Sequence, residues 1–238
     1  MKIAGAIALV TGANRGMGRH YVEQLLDRGA AGVYATARNP QAVKVRGVTV
    51  LALDVTDGHA VAAAARAATD VTLLINNAGC STDQRLVDGD LERIRLEMET
   101  HYFGTLAMVR AFAPILRANG GGAILNVLSA KSWLAFDGLG AYCAAKSAEW
   151  GLTNAVRLEL ADQRTQVTGL MVGSVDTEMT AGWDVPKSDP AEVVRKALDG
   201  LEAGALEVLA DDGTIELKAA LAAQPSTLYP RASPANWI

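Results

Sequence analysis

Short apolar runs alternate along the chain with longer segments in which apolar residues recur every three or four positions. The short runs have the length of buried strands, and their almost continuous hydrophobicity favours parallel pairing. The longer segments have the periodicity of amphipathic helices. The predicted strands are residues 7–11, 32–37, 48–53, 71–75, 123–128 and 167–172, and the predicted helices are residues 17–28, 57–68, 90–118, 140–162 and 190–203.

This alternation predicts the α/β class, as a single-domain Rossmann-like doubly wound parallel sheet that spans residues 1–238. Right-handed crossovers between parallel strands place a ligand at the carboxyl ends of the strands. We expect residues 222–238, which include a Pro-rich stretch, to form a C-terminal surface arm.

Composition and charge narrow the range of partners. The net charge is −4 and the 22 basic residues are dispersed, so we expect no nucleic-acid partner. The two cysteines, Cys80 and Cys143, have neither metal-ligand spacing nor the pattern of a disulfide framework, and we expect no metal site. The longest apolar runs are too short for a membrane span or a signal peptide, which predicts a cytoplasmic protein.

A glycine-rich turn follows the first predicted strand and opens the first predicted helix, with the sequence Thr11-Gly12-Ala13-Asn14-Arg15-Gly16-Met17-Gly18. Gly12 permits a tight turn, and Gly16 lets the backbone approach a pyrophosphate at the helix N-terminus. Gly18 lets the helix pack closely on the sheet. This arrangement predicts a dinucleotide site.

The spacing T-G-x-x-x-G-x-G resembles that of the short-chain dehydrogenase/reductase family, and the resemblance covers nearly the whole chain. Asp54-Val55 after the third strand is similar to the family's adenine-contacting pair, and Asn76-Asn77-Ala78-Gly79 is similar to its N-N-A-G segment. The resemblance implies a homodimer or homotetramer. It also implies cofactor contacts from Gly12, Asn14, Gly16, Met17, Gly18, Asp54, Val55, Asn77, Ala78 and Gly79.

The position about 20 residues beyond the glycines indicates which nicotinamide cofactor is bound. A ribose with a free 2′-hydroxyl calls for a carboxylate there, but the second strand runs into Arg38. A guanidinium suits a 2′-phosphate, and Arg15 in the turn adds a second cation. We therefore predict NADP(H), with the alternative that both arginines are solvated surface charges.

Tyr142 and Lys146 are four residues apart on a predicted helix, so that the ammonium lies one turn from the phenol and stabilises the phenolate. Ser129 precedes Tyr142 by thirteen residues, which matches the family's serine and its Y-x-x-x-K motif. The resemblance implies that Tyr142 acts as general acid/base and Ser129 holds the carbonyl. It also implies that Lys146 tunes Tyr142 and binds the nicotinamide ribose. Both Tyr142 and Lys146 would then also contact the cofactor.

Two positions depart from the family pattern. His101 stands where the family carries an asparagine that holds a relay water, and we weigh a proton relay against a structural role. The segment Val172-Gly173-Ser174-Val175-Asp176-Thr177 lacks the family's proline, but its Val175 and Thr177 are still expected to contact the carboxamide end of the cofactor.

The resulting expectation is an NADP(H)-dependent oxidoreductase of the carbonyl reductase or alcohol dehydrogenase type, which interconverts a ketone or aldehyde with an alcohol in a small-molecule substrate. Two alternatives stay open: the same cofactor acting on an imine or activated double bond, and a catalytically silent dinucleotide-binding sensor. Lys131 near the predicted cleft would attract an acidic substrate if it is not simply solvated. An apolar pocket lined by Trp133, Phe136, Leu139 and Trp183 would suit a hydrophobic one.

Overall fold

The computed structural model describes residues 1–232, in which seven strands form one parallel sheet of order β3-β2-β1-β4-β5-β6-β7. The strands are β1 (Ile7–Val10), β2 (Gly32–Ala37), β3 (Thr49–Ala52), β4 (Leu73–Asn76), β5 (Gly122–Val127), β6 (Thr165–Met171) and β7 (Glu207–Leu209). The predicted doubly wound α/β class is confirmed.

Helices cover both faces of the sheet. One layer contains α1 packed on α6, and the other contains α2, α4 and α5, so that a separate apolar core lies on each face. The helices are α1 (Gly16–Asp27), α2 (Gly58–Ala67), α3 (Leu91–Met98), α4 (Thr105–Ala118), α5 (Gly140–Glu159), α6 (Pro190–Glu202), α7 (Asp212–Ala220) and α8 (Pro225–Leu228).

The predicted helix over residues 90–118 is interrupted in its middle. The π-helical segment Glu99–Gly104 separates α3 from α4, and such segments occur frequently at functional sites. The sequence prediction also missed β7, α7 and α8, because short elements carry too little periodicity. Of the predicted C-terminal arm, residues 222–232 contain α8 and a single 3₁₀ turn, and residues 233–238 lie outside the described residues.

The strand order reverses between β1 and β4, and this switch point opens a crevice at the carboxyl ends of the strands. A buried chain of hydrogen bonds fixes α5 against the sheet beside that crevice. Asn76 on β4 donates to Asn126 on β5 at 2.8 Å, and Asn126 donates to Thr153 on α5 at 2.9 Å. These hydrogen bonds fix the position of α5, which carries the predicted tyrosine and lysine, relative to two central strands.

Replacing Gly18 with alanine should destabilise the fold by about 1–3 kcal/mol, because the site has no room for a methyl group. A Cβ at this position would lie 2.0 Å from the carbonyl oxygen of Gly12 and 2.7 Å from Nδ2 of Asn77. The matched control is Gly151→Ala in α5, where a Cβ would meet no atom within 4 Å apart from its own helical backbone. Alanine there should raise the free energy of unfolding by roughly 0.5–1 kcal/mol. Urea denaturation of both variants checks the opposite signs, and a neutral Gly18→Ala would contradict the packing described here.

Candidate active site

The glycine turn connects β1 to α1 at the switch point. Gly12 and Gly16 have φ angles of +65° and +49°, a region that side chains rarely adopt. Asn77 braces the turn, because its Nδ2 donates to the carbonyl oxygens of Thr11 at 2.9 Å and Gly12 at 3.3 Å. The backbone N–H groups of Asn77 and Ala78 both donate to Thr11 Oγ1 at 2.9 Å.

The two arginines of the cofactor prediction lie at the ends of neighbouring strands. Arg15 belongs to the turn after β1 and Arg38 directly follows β2, and both are exposed. Within residues 1–232 neither guanidinium has a hydrogen-bonded or ion-paired partner. Both positive charges are therefore available to an anionic ligand.

The remaining predicted cofactor residues follow strands at the same edge of the sheet. The Asp54 carboxylate accepts hydrogen bonds from the backbone and hydroxyl of Thr56 at 3.0 and 2.8 Å. Val55 is buried, and a Cβ built on Gly104 would lie 2.9 Å from its Cγ2. Asn14 lies in a shallow depression with Arg15 and Gly16, next to the main cleft.

One cleft of about 600 Å³, including the space at its open mouth, joins the glycine turn to the predicted catalytic residues. Trp183 closes part of its wall, and Met179 and Thr180 lie beside it. The structure brings nine of the sequence-predicted site residues together in this cleft: Met17, Asn77, Gly79, His101, Ser129, Tyr142, Lys146, Val175 and Thr177.

Ser129 and Tyr142 are presented from different elements. Ser129 follows β5 and caps the 3₁₀ turn Ala130–Ser132, with its Oγ accepting from the Lys131 backbone N–H at 3.2 Å. Tyr142 lies in the first turn of α5. Burial raises the pKa of Tyr142, whereas the Lys146 charge and a hydrogen bond from Ser129 lower it, and the pKa stays above its usual value. The phenol is therefore protonated at neutral pH.

Lys146 forms a fully buried ion pair that the sequence motifs did not predict. Its Nζ donates to the Glu149 carboxylate and to the Val127 carbonyl oxygen, both at 2.7 Å. Thr105 on α4 donates to the other carboxylate oxygen of Glu149 at 3.0 Å. Burial alone would lower the pKa of Lys146, but the carboxylate of Glu149 raises it above its ordinary value. The i, i+3 spacing of Lys146 and Glu149 on a helix was the available signal.

His101 lies behind the tyrosine in the π-helical segment. Its ring packs edge-on against Tyr142, with centroids 5.2 Å apart, and a Cβ on Gly79 would lie 2.7 Å from its Cε1. Nε2 lies 2.8 Å from the Cys80 carbonyl oxygen, while Nδ1 has no hydrogen-bond partner and lies 3.8 Å from Glu149. Burial holds the pKa of His101 well below its usual value, and the positive charge of Lys146 lowers it further. The ring is therefore neutral at pH 7, and whether His101 acts as a proton relay or has a structural role stays a prediction.

The family model for short chain dehydrogenase matches residues 6–187. The chain belongs to the short-chain dehydrogenase family. It is an oxidoreductase built on a single parallel sheet. The family that its sequence motifs predicted is confirmed.

Several known proteins resemble this chain over most of its length. A crystal structure of a short chain dehydrogenase from Burkholderia cenocepacia J2315, in complex with NADP, is 42% identical with a TM-score of 0.93, covering 98% of this chain and 100% of that one. Trans-4-hydroxycyclohexanecarboxylate dehydrogenase of Sinomonas cyclohexanicum is 33% identical over 76% of each chain. The 3-oxoacyl-[acyl-carrier-protein] reductase FabG of Vibrio cholerae is 31% identical over 76% of this chain and 78% of its own.

Among residues 1–232, no group of three or more His, Cys, Asp or Glu side chains is arranged to hold a metal ion. In that same part of the chain, no helix is both long and apolar enough to cross a bilayer.

Proposed function

We propose that this short-chain dehydrogenase is an NADP(H)-dependent oxidoreductase that interconverts a ketone or aldehyde with an alcohol. The observation that carries the proposal is the placement of Ser129, Tyr142 and Lys146 in one cleft with Met17 of the glycine turn. In this cleft a proton donor and a hydrogen-bond donor for a carbonyl oxygen would lie beside the dinucleotide.

The residues around the turn fit a dinucleotide phosphate. Gly16 has no Cβ at a point where one would lie 3.3 Å from Thr177. No side chain caps the N-terminus of α1, so its first backbone N–H groups can donate to a pyrophosphate. Arg15 and Arg38 supply unpaired charges for a 2′-phosphate. The Burkholderia structure is a complex with NADP. A short-chain dehydrogenase from Sphingobium yanoikuyae, which is 25% identical to this chain with a TM-score of 0.80, is a complex with NADPH. Both support NADP(H) as the cofactor.

The side chains divide the chemistry between them. When bound, the cofactor supplies or accepts the hydride at the substrate carbon. Tyr142 gives its proton to the carbonyl oxygen during reduction and takes it back during oxidation. Ser129 donates a hydrogen bond to that oxygen. Lys146 uses two of its three N–H donors on Val127 and Glu149, which leaves one for the nicotinamide ribose.

The names of two relatives support carbonyl/alcohol chemistry in particular. One is named a dehydrogenase of a hydroxycyclohexane carboxylic acid and the other a reductase of a 3-oxoacyl group. The first name describes an alcohol that is dehydrogenated, and the second describes a ketone that is reduced. A relay role for His101 and a homodimeric or homotetrameric state stay predictions, the latter checked by light scattering of the purified protein.

The proposal is tested by incubating the enzyme with a panel of ketones, aldehydes and alcohols and either NADP(H) or NAD(H), while following the nicotinamide absorbance. We expect turnover of carbonyl/alcohol pairs with a preference for the phosphorylated cofactor. Turnover confined to imines or activated double bonds would contradict the proposed reaction.

Replacing Arg38 with aspartate should raise KM for NADPH by about 10- to 100-fold, since a charge-assisted hydrogen bond contributes roughly 1.5–3 kcal/mol. KM for NADH should change far less, because NADH carries no 2′-phosphate. The matched control is Arg117→Asp at the exposed C-terminal end of α4, just before β5 begins and so near the amino ends of the strands. Equal effects on both cofactors would remove Arg38 from the phosphate site.

A further inference from the structure

A second lysine faces the catalytic cleft. Lys131 lies two residues beyond Ser129 in the 3₁₀ turn Ala130–Ser132, and its side chain lines the same cleft as Ser129 and Tyr142. The residue is 8% exposed, so it is not the solvated surface lysine that its type suggests. Its position beside the reacting groups therefore calls for a physical explanation.

The Lys131 ammonium has no anionic or hydrogen-bonding partner within the described part of the chain. Aromatic rings flank it, with Nζ 5.2 Å from the centroid of Phe136 and 5.1 Å from that of Trp183. The other cation of the cleft, Lys146, is by contrast paired with the Glu149 carboxylate. Burial lowers the pKa of Lys131 from its ordinary value. Lys131 is therefore the cleft cation whose charge is left for a ligand.

Burying an ammonium without an acceptor is costly, and aromatic faces offset part of that cost without neutralising the charge. A ligand anion would complete the pairing. Among the residues that line the cleft, Lys131 is the single unpaired cation, and apolar side chains such as Trp183 and Met179 surround the space. One ammonium between apolar walls matches a monoanion with a hydrocarbon body better than a phosphate dianion, which needs several donors.

We propose that Lys131 binds an acidic group of the substrate, so that the enzyme acts on ketones or alcohols that also carry a carboxylate. This inference rests on the proposed function, because the carboxylate is placed relative to a carbonyl held by Ser129 and Tyr142. Lys131 contacts a part of the substrate that does not react. It therefore determines specificity, and the proton transfer stays with Tyr142.

The test compares keto acids of several lengths with their methyl esters, using NADPH as the reductant. We expect kcat/KM to favour the acid by about 10- to 100-fold in at least one pair, which is the effect of a hydrogen bond between charged groups. Lys131→Met should remove that preference mainly by raising KM for the acid, and Lys131→Arg should retain it. Lys2→Met, at an exposed lysine near the N-terminus, is the matched control.

A binding measurement separates this inference from the proposed function. Calorimetry with NADP⁺ present should show benzoate binding more tightly than benzamide, its neutral analogue, in the unmodified enzyme but not in Lys131→Met. If esters and acids are reduced equally well and benzoate shows no advantage, the inference is wrong while carbonyl reduction stands. If benzoate binds through Lys131 but no carbonyl is reduced, the anion site stands and the proposed reaction is wrong.

Discussion

Tyr142→Phe should lower the rate of carbonyl reduction by about 10²- to 10⁴-fold, the usual contribution of a positioned general acid. Phenylalanine keeps the ring that packs edge-on against His101 and removes the hydroxyl that supplies the proton. Lys146 is held by Glu149 and Val127, and Ser129 by its own backbone contacts, so neither moves into the vacated position. The loss should appear mainly in kcat, with a much smaller change in the Kd for NADPH, measured by fluorescence titration.

The matched control for this variant is Tyr102→Phe in the π-helical segment, where the tyrosine ring packs against Phe103. This control should retain full activity, since Tyr102 does not line the cleft. If Tyr142→Phe kept the reductase rate of the unmodified enzyme, the assignment of the proton donor would be wrong. A loss that came from unfolding would show as a matching fall in the denaturation midpoint, and we expect none.

Glu149→Gln should have the second largest effect, because it leaves the Lys146 ammonium buried without its counter-charge. Removing one partner of a buried ion pair costs on the order of 3–5 kcal/mol of folding stability. The carboxylate of Glu149 also raises the pKa of Lys146 and of Tyr142. Without it both pKa values fall, so the protonated phenol that reduction requires is lost at a lower pH.

The expected result is therefore a fall in unfolding free energy together with an alkaline limb of the kcat profile that moves to lower pH. The charged and titratable groups around Glu149 and Tyr142 are Lys146, His101 and, at longer range, Glu97. Glu159→Gln, an exposed glutamate at the end of the same helix, is the control and should change neither quantity. A destabilised Glu149→Gln with an unshifted pH profile would limit Glu149 to a purely structural role.

The fold followed from the sequence wherever one element carried a strong local pattern. The apolar runs located six of the seven strands, and the glycines predicted a turn that the structure forms with positive φ angles. The strand β7 was missed because three half-buried residues at the sheet edge have no readable alternation. The interruption of the predicted long helix was missed as well, since a π-helical segment leaves the helical periodicity almost intact.

In the site, sequence reasoning found the groups whose spacing along the chain is short. Tyr142 and Lys146 belong to one helical turn, and their proximity was predictable. The pairing of Lys146 with Glu149 against Thr105 depends on how α4 packs beside α5, which spacing alone does not give. The same limit applied to Lys131, whose burial depends on Trp183, a residue 52 positions further along the chain.

The most direct test of the proposed mechanism is isotopic transfer from NADPH that carries deuterium at both C4 positions of the nicotinamide. Incubation of the enzyme with this cofactor and a reactive ketone should place one deuterium on the carbinol carbon of the product alcohol, detected by mass spectrometry. The same transfer should be almost abolished in Tyr142→Phe. An alcohol product without deuterium when both C4 positions are labelled, or label transfer that Tyr142→Phe leaves unchanged, would contradict the proposed mechanism.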